Sequence, residues 1–179
     1  FTLDSATMAA DPRGMAAKYL SVDLMTVSVA TAPLQNLATC VRRCDLELAG
    51  VVVAPYAAAL SGMIEDEHKL GAACIDLGAG ATNISIFLRN HLIYADSVRV
   101  GGDHLTSDIA TALSMPIQSA ERIKTLHGGA VATGLDDREL IEAPYIGAGG
   151  ASDRRRISRS ALIGVIRPPL EEMFEDIRN

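Results

Sequence analysis

The apolar run at residues 72–76 ends on a carboxylate, Asp76, and leads into Leu77-Gly78-Ala79-Gly80-Ala81-Thr82 before apolar residues return at 83–88. A carboxylate at the end of a buried strand is costly unless a cation or hydrogen-bond donors meet it. The small residues behind Asp76 let backbone N–H groups close on an anion, and Thr82 adds a hydroxyl. The pattern predicts strand, turn and strand, with the turn shaped for phosphate and Mg²⁺. Gly and Ala are also ordinary hairpin residues, so the turn by itself leaves a plain hairpin equally open.

The surroundings extend this reading in both directions. Residues 19–29 are rich in β-favouring types and predict a strand, preceded by the turn Asp11-Pro12-Arg13-Gly14. Leu34, Leu37, Ala38 and Val41 have the spacing of a helix face across 33–44. Residues 48–53 predict a short buried strand, and Pro55 suits the first turn of an alanine-rich helix ending near Glu65-Asp66-Glu67. After the turn, Asn90 supports a hairpin into a strand at 92–100. Gly101-Gly102-Asp103 then breaks the pattern, and a helix is expected over 105–113, capped by Asp103 or Thr106.

Pro116 separates that helix from another at 119–126, which Gly128-Gly129 stops. Beyond it, 140–146 and 156–166 predict two strands of a hairpin around a loop at 147–152, with a helix at 169–177. The chain opens without methionine and stops inside an amphipathic run, the pattern expected of an internal fragment.

Composition narrows the function classes. A 49% hydrophobic content is that of a globular chain, and a net charge of -6 argues against a surface built for nucleic acid. Arg154, Arg155 and Arg156 with Arg159 form the one basic cluster, which lacks interleaved aromatics and reads as a solvated hairpin end, with an acidic protein partner as the intermediate possibility. The apolar runs fall far short of the roughly 20 residues that span a bilayer. No export leader opens the chain, so the default expectation is the cytoplasm. Cys40, Cys44 and Cys74 form no even disulfide framework and no CxxC, and are expected to be buried structural thiols.

Four segments in order, Pro55-Tyr56-Ala57-Ala58-Ala59-Leu60, the turn at 76–82, Gly101-Gly102-Asp103-His104-Leu105-Thr106 and Glu121-Arg122-Ile123-Lys124, resemble the actin, sugar-kinase and chaperone-ATPase superfamily. The resemblance narrows to the FtsA family of cell-division proteins through Asp11-Pro12-Arg13-Gly14-Met15, Asn36-Leu37, Glu65-Asp66-Glu67 with Leu70-Gly71, Thr106-Ser107-Asp108-Ile109-Ala110, and Ala120-Glu121-Arg122-Ile123-Lys124 with His127-Gly128. It implies an α/β, actin-like ATPase fold with mixed sheets and packed helices, and α+β character in a small subdomain. Residues 1–48 would belong to that self-assembly subdomain, 49–113 to the core of a second domain, and 114–179 to an adenosine-contacting helix and an outer subdomain.

The same resemblance implies ATP and Mg²⁺ as cofactors. Asp76 would hold Mg²⁺ through its water shell, Gly78, Gly80 and Thr82 would wrap the phosphates, and Glu121 and Lys124 would face the adenosine. Glu121 and Lys124 share a helix face, so a surface ion pair is the plain alternative for them. Implied partners are the C-terminal tail of the tubulin-like FtsZ, docked near a helix entry by Arg167, Glu171 and Glu172, together with other copies of the chain and late division membrane proteins. The membrane would be reached through a C-terminal amphipathic helix outside these residues, at the inner face of the division site.

Departures from the family pattern bear on turnover. Ala79 and Ala81 stand where Gly and Thr are usual, and Ala replaces Gly without strain only where φ is negative. Ala54 occupies the place where chaperone-type relatives carry a carboxylate that organises the attacking water, so slow hydrolysis or a nucleotide switch is expected. A sugar kinase or other ATPase of the same fold, or a pilus-assembly adaptor, are the alternatives, and fold alone does not separate them.

Overall fold

The computed structural model describes residues 1–4, 7–9, 11–144, 146 and 154–178, and the chain divides into two compact units, Phe1–Val52 and Val53–Asn179. In the first, β1 (Thr2–Leu3) pairs antiparallel with both β2 (Thr7–Met8) and β3 (Leu20–Ser21), and α1 (Thr31–Arg43) follows. The strand expected over 19–29 is reduced to Leu20–Ser21, and the one expected over 48–53 does not form. A strand exists by pairing, and Leu24, Val29, Val51 and Val52 stay exposed. Cys40 and Cys44 are also exposed and unbridged, contrary to their expected burial, because α1 buries none of its residues.

The second unit is built around two cores. α2 (Ala54–Gly62) begins with Pro55 in its first turn, where the missing N–H has no helical acceptor to lose. It ends at Gly62, short of the expected acidic run, which instead opens α3 (Glu65–Leu70). β4 (Ala72–Leu77), β5 (Thr82–Leu88) and β6 (His91–Val98) make an antiparallel sheet in the order β4-β5-β6. Arg89 and Asn90, both with positive φ (53° and 63°), form the two-residue loop between β5 and β6, a primed turn that matches strand twist. Phe87 anchors the helices to the sheet: its ring stacks on Tyr56 at 5.8 Å and meets His68 edge-on at 4.6 Å.

The second core lies among α4 (Gly102–Ala112), α5 (Ile117–His127), the β7 (Leu140–Pro144) and β8 (Arg154–Ser158) hairpin, and α6 (Arg159–Arg178). Ile109, Met115, Ala120, Ile123, Ile141, Ala143, Leu162 and Ile166 form it. The strand expected over 156–166 ends at Ser158, and the helix expected only from 169 starts at Arg159. Buried Leu162, Ile163, Ile166 and Met173 carry a helical period that the β-branched residues around them obscure. Pro168 and Pro169 lie inside this helix and cannot donate to the carbonyls one turn back. The loop expected at 147–152 lies outside the described residues.

Candidate nucleotide site

β4 and β5 bring Asp76 opposite Asn83, whose side-chain amide donates to Asp76 Oδ2 at 3.0 Å. That bond orients the carboxylate and leaves Oδ1 without a hydrogen bond among the described residues. After Asp76 the turn closes on itself, with the Gly78 N–H donating to the Ala81 carbonyl at 3.0 Å. The N–H groups of Ala79, Gly80 and Ala81 have no acceptor among the described residues. Three successive N–H groups without an acceptor among the described residues, beside a carboxylate, are the kind of donors an anion and its cation require.

Glycine is needed in this turn by proximity. No residue of 78–81 has positive φ, so Ala79 and Ala81 are accommodated without backbone strain. A Cβ on Gly78 would lie 2.7 Å from the Ala81 carbonyl oxygen, whereas one on Gly80 would meet nothing within 4 Å. Gly80 therefore borders open space.

Thr82 departs from its expected role. It is 0% exposed, and its hydroxyl donates to the Val100 carbonyl at 2.8 Å and lies 3.1 Å from the Met173 sulfur. The reason is strand alternation: Thr82 pairs with Leu77, one residue on from Asp76, and so faces the opposite side of the sheet. Its hydroxyl joins the sheet to α6 and is not free for a phosphate.

The N-terminus of α4 packs directly onto the turn. Gly102 N–H donates to the Gly78 carbonyl at 3.0 Å and Asp103 N–H to the Ala79 carbonyl at 2.9 Å. Neither Asp103 nor Thr106 caps this helix; Gly101 is its N-cap, and His104 Nδ1 accepts the Gly101 N–H at 3.2 Å. A Cβ on Gly101 would stand 2.5 Å from both turn carbonyl oxygens, so only glycine permits this approach.

From α5, Glu121 and Lys124 reach the same helix end and form the ion pair anticipated for them, at 2.7 Å. Lys124 Nζ also donates to the Gly102 carbonyl and to Thr106 Oγ1, each at 2.8 Å. Thr106 Oγ1 in turn contacts Glu121 Oε2. Lys124, and then Thr106, hold the Glu121 carboxyl below its ordinary value. Asp76, the turn, α4 and α5 are thus connected by hydrogen bonds, and Thr106, which the sequence offered as a capping candidate and as part of the family segments, is a member of that network.

The structure matches a known fold at this point. The model of the family described as cell division protein FtsA matches residues 73–174. The chain belongs to the FtsA family.

Among curated relatives, FtsA of Agrobacterium fabrum is 39% identical over 179 residues, covering all of this chain and 40% of that protein. FtsA of Pseudomonas aeruginosa is 35% identical over 176 residues, covering 97% and 41% respectively. The chain therefore spans about two fifths of the length of these FtsA proteins. In three dimensions it is similar to MreB5 of Spiroplasma citri bound to ADP, with a TM-score of 0.68 at 22% identity over 82% of this chain and 46% of that one. A type IV pilus PilM–PilN complex matches at 0.57 and 17% identity, over 81% and 34%. The fold is thus actin-like, and the FtsA match separates this chain from the kinase and pilus alternatives that share it.

The remaining residues expected at a site lie elsewhere. Arg167, Glu171 and Glu172 sit in the middle of α6, not at a helix entry, because that helix begins at Arg159. Arg167 Nε donates to Glu171 Oε1 at 2.6 Å, and Glu172 borders a cavity of about 220 Å³ with His104, Ser107 and Asp108. The basic cluster is divided. Arg155 donates to the Leu113 carbonyl at the end of α4, Arg156 is exposed, and Arg159 pairs at 3.0 Å with Asp136, which is 1% exposed. Thr133 supplies its N–H and, at 2.9 Å, its hydroxyl to the same carboxylate. The Thr133 N–H is the largest influence holding Asp136 below its ordinary value, with burial pushing the other way. Sequence spacing does not reveal this part-buried pair, since 23 residues separate its members.

Proposed function

We propose that this chain carries part of the nucleotide cleft of a division protein that binds ATP with Mg²⁺, polymerises and tethers the FtsZ ring to the cytoplasmic membrane while recruiting later division proteins. The observation that carries the reading is the row of free N–H groups at Ala79, Gly80 and Ala81 beside the Asn83-oriented carboxylate of Asp76. MreB5, which shares the fold, was solved with ADP and with AMPPNP.

Mg²⁺ fits the donor set. It is a hard cation that keeps several waters and takes one or two carboxylates plus phosphate oxygens. Asp76 offers one free carboxylate oxygen, and no cluster of three or more His, Cys, Asp or Glu side chains occurs among the described residues to make a protein cage. When bound, the ion would neutralise charge on the β- and γ-phosphates. Asp76 would orient its water shell, the amides of the turn, including Gly80, would bind the phosphate oxygens, and Glu121 would accept hydroxyls of the nucleoside.

Turnover is slow on this reading. Ala54 opens α2 and offers no carboxylate to position an attacking water. Nucleotide then acts as an assembly switch. Binding of Mg·ATP to the complete gene product, lost in Asp76→Ala, tests the site; turnover at chaperone-like rates that disappears in Asp76→Ala would count against the switch.

A further inference from the structure

Gly101 and His104 close a small ring at the start of α4. The His104 N–H donates to the Gly101 carbonyl at 3.0 Å, and the Gly101 N–H donates to His104 Nδ1 at 3.2 Å. Helix N-termini commonly use this reciprocal pair with Glu or Gln three residues after the cap, whose side-chain oxygens accept at neutral and mildly acidic pH alike. Histidine differs. Nδ1 accepts only while it keeps its lone pair, so the ring that makes this bond is neutral, with its proton on Nε2. Protonation places a second N–H on the ring, and Nδ1–H then meets the Gly101 N–H donor to donor.

The backbone cannot adjust to that loss. Gly101 is buried, and its N–H has no other acceptor among the described residues. A Cβ there would lie 2.5 Å from the Gly78 and Ala79 carbonyl oxygens, so the peptide is pinned against the turn. A buried N–H left without an acceptor is more costly than an ordinary hydrogen bond is stabilising. The ring, by contrast, has an alternative. His104 is exposed and borders the cavity of about 220 Å³ that it shares with Asp108, one turn further along α4, and Glu172 of α6. Both carboxylates favour an imidazolium. No cationic side chain lines this cavity, and Lys124, on the α5 side of the same helix end, is held by Glu121, Thr106 and the Gly102 carbonyl.

We propose that His104 is a pH-sensitive latch on the phosphate turn. Neutral, it holds Gly101 in place and with it the Gly102 and Asp103 N–H bonds to the Gly78 and Ala79 carbonyls. Protonated, it turns to Asp108 and Glu172 and loosens that fastening. The latch is closed at high pH and opens as pH falls through the span in which histidine side chains gain a proton, about pH 8 to about pH 5. Its effect on ATP rests on the nucleotide reading above.

ATP affinity of the complete gene product is measured across that span for wild type and for His104→Gln, which keeps an acceptor at the capping position and does not titrate. Protonation of the nucleotide affects both proteins alike, so their ratio isolates the ring. The two are expected to bind equally at the alkaline end, with wild type weaker by roughly three- to tenfold at the acid end, the scale of one hydrogen bond. Asp108→Asn combined with Glu172→Gln should move the wild-type fall to lower pH. A ratio that stays constant across the span overturns the latch. NMR reads the same device without nucleotide: an Nε2–H ring at the alkaline end is expected, with Gly101, Gly102 and Asp103 amide shifts that follow its titration and stay fixed in His104→Gln. A neutral ring with its proton on Nδ1, or amides that ignore the titration, overturns the latch. ATP binding by neither protein, with the amides still following the ring, overturns the nucleotide reading and leaves the latch standing.

Discussion

The amide of Gly102 donates to the carbonyl of Gly78 at 3.0 Å, so the first turn of α4 is fastened to the turn that follows Asp76. The approach is close enough to exclude a side chain on Gly101, whose Cβ would stand 2.5 Å from the Gly78 oxygen. Gly101→Ala must displace backbone against backbone. It is expected to destabilise the fold by about 1–3 kcal/mol, the usual range for overpacking, measured by denaturant unfolding. A loss well under that range would mean the fastening is loose.

Gly80→Ala should behave oppositely. Its Cβ meets nothing within 4 Å, so stability is expected to be unchanged, while the methyl enters the space beside the free amides. Calorimetry should report ATP binding weakened on the order of tenfold, with unfolding unaffected. Wild-type affinity would remove the turn from the phosphate site.

Asp136 carries a pH dependence whose sign follows from its environment. Its folded pKa is lowered, by the Thr133 N–H first, so it binds fewer protons folded than unfolded near its ordinary range. Its contribution is complete above that range and is lost as pH falls toward the lowered folded value. Asp136→Asn should lower the Tm at neutral pH and flatten its fall on acidification. An acid-side slope equal to wild type would show that Asp136 is not the source.

Leu162 is 0% exposed at the meeting of α6 with the α4 and α5 core. Leu162→Ala is expected to cost about 2–5 kcal/mol through lost burial and a residual cavity. Equilibrium unfolding measures this directly, and a cost below about 1 kcal/mol would mean that the site collapses around the smaller side chain.

Reversing charge at Glu171 and Glu172 tests whether α6 carries a partner face. Glu171 gives up its bond to Arg167, an exposed pair worth little to stability, so folding should be unaffected. Binding of an FtsZ tail peptide to the complete gene product should fall several-fold. Unchanged binding would place the tail elsewhere.

Short-range physics was legible from the residues alone. The helix spacing of α4 and α5, the Pro55 start of α2, the Asn90 hairpin and the carboxylate-to-glycine turn each depend on neighbours a few residues apart. The FtsA resemblance was carried by the same local segments. The readings that failed required knowing what lay alongside. Residues 48–53 have strand composition without a pairing partner among the described residues, and 159–166 have β-branched composition but a helical burial period that only the α4 and α5 core reveals.

The site divides in the same way. The sequence by itself determined that Asp76 would lie near the end of a strand before a tight small-residue turn, and that Glu121 and Lys124 would share a helix face, because both follow from the periods of strand and helix. Tertiary structure alone decided that Thr82 faces away from Asp76 and bonds to Val100, that Thr106 joins Glu121 and Lys124, and that Asp136 meets Arg159. These contacts close over separations of 15 to 23 residues, and no local pattern records which buried polar groups will satisfy one another across such a span.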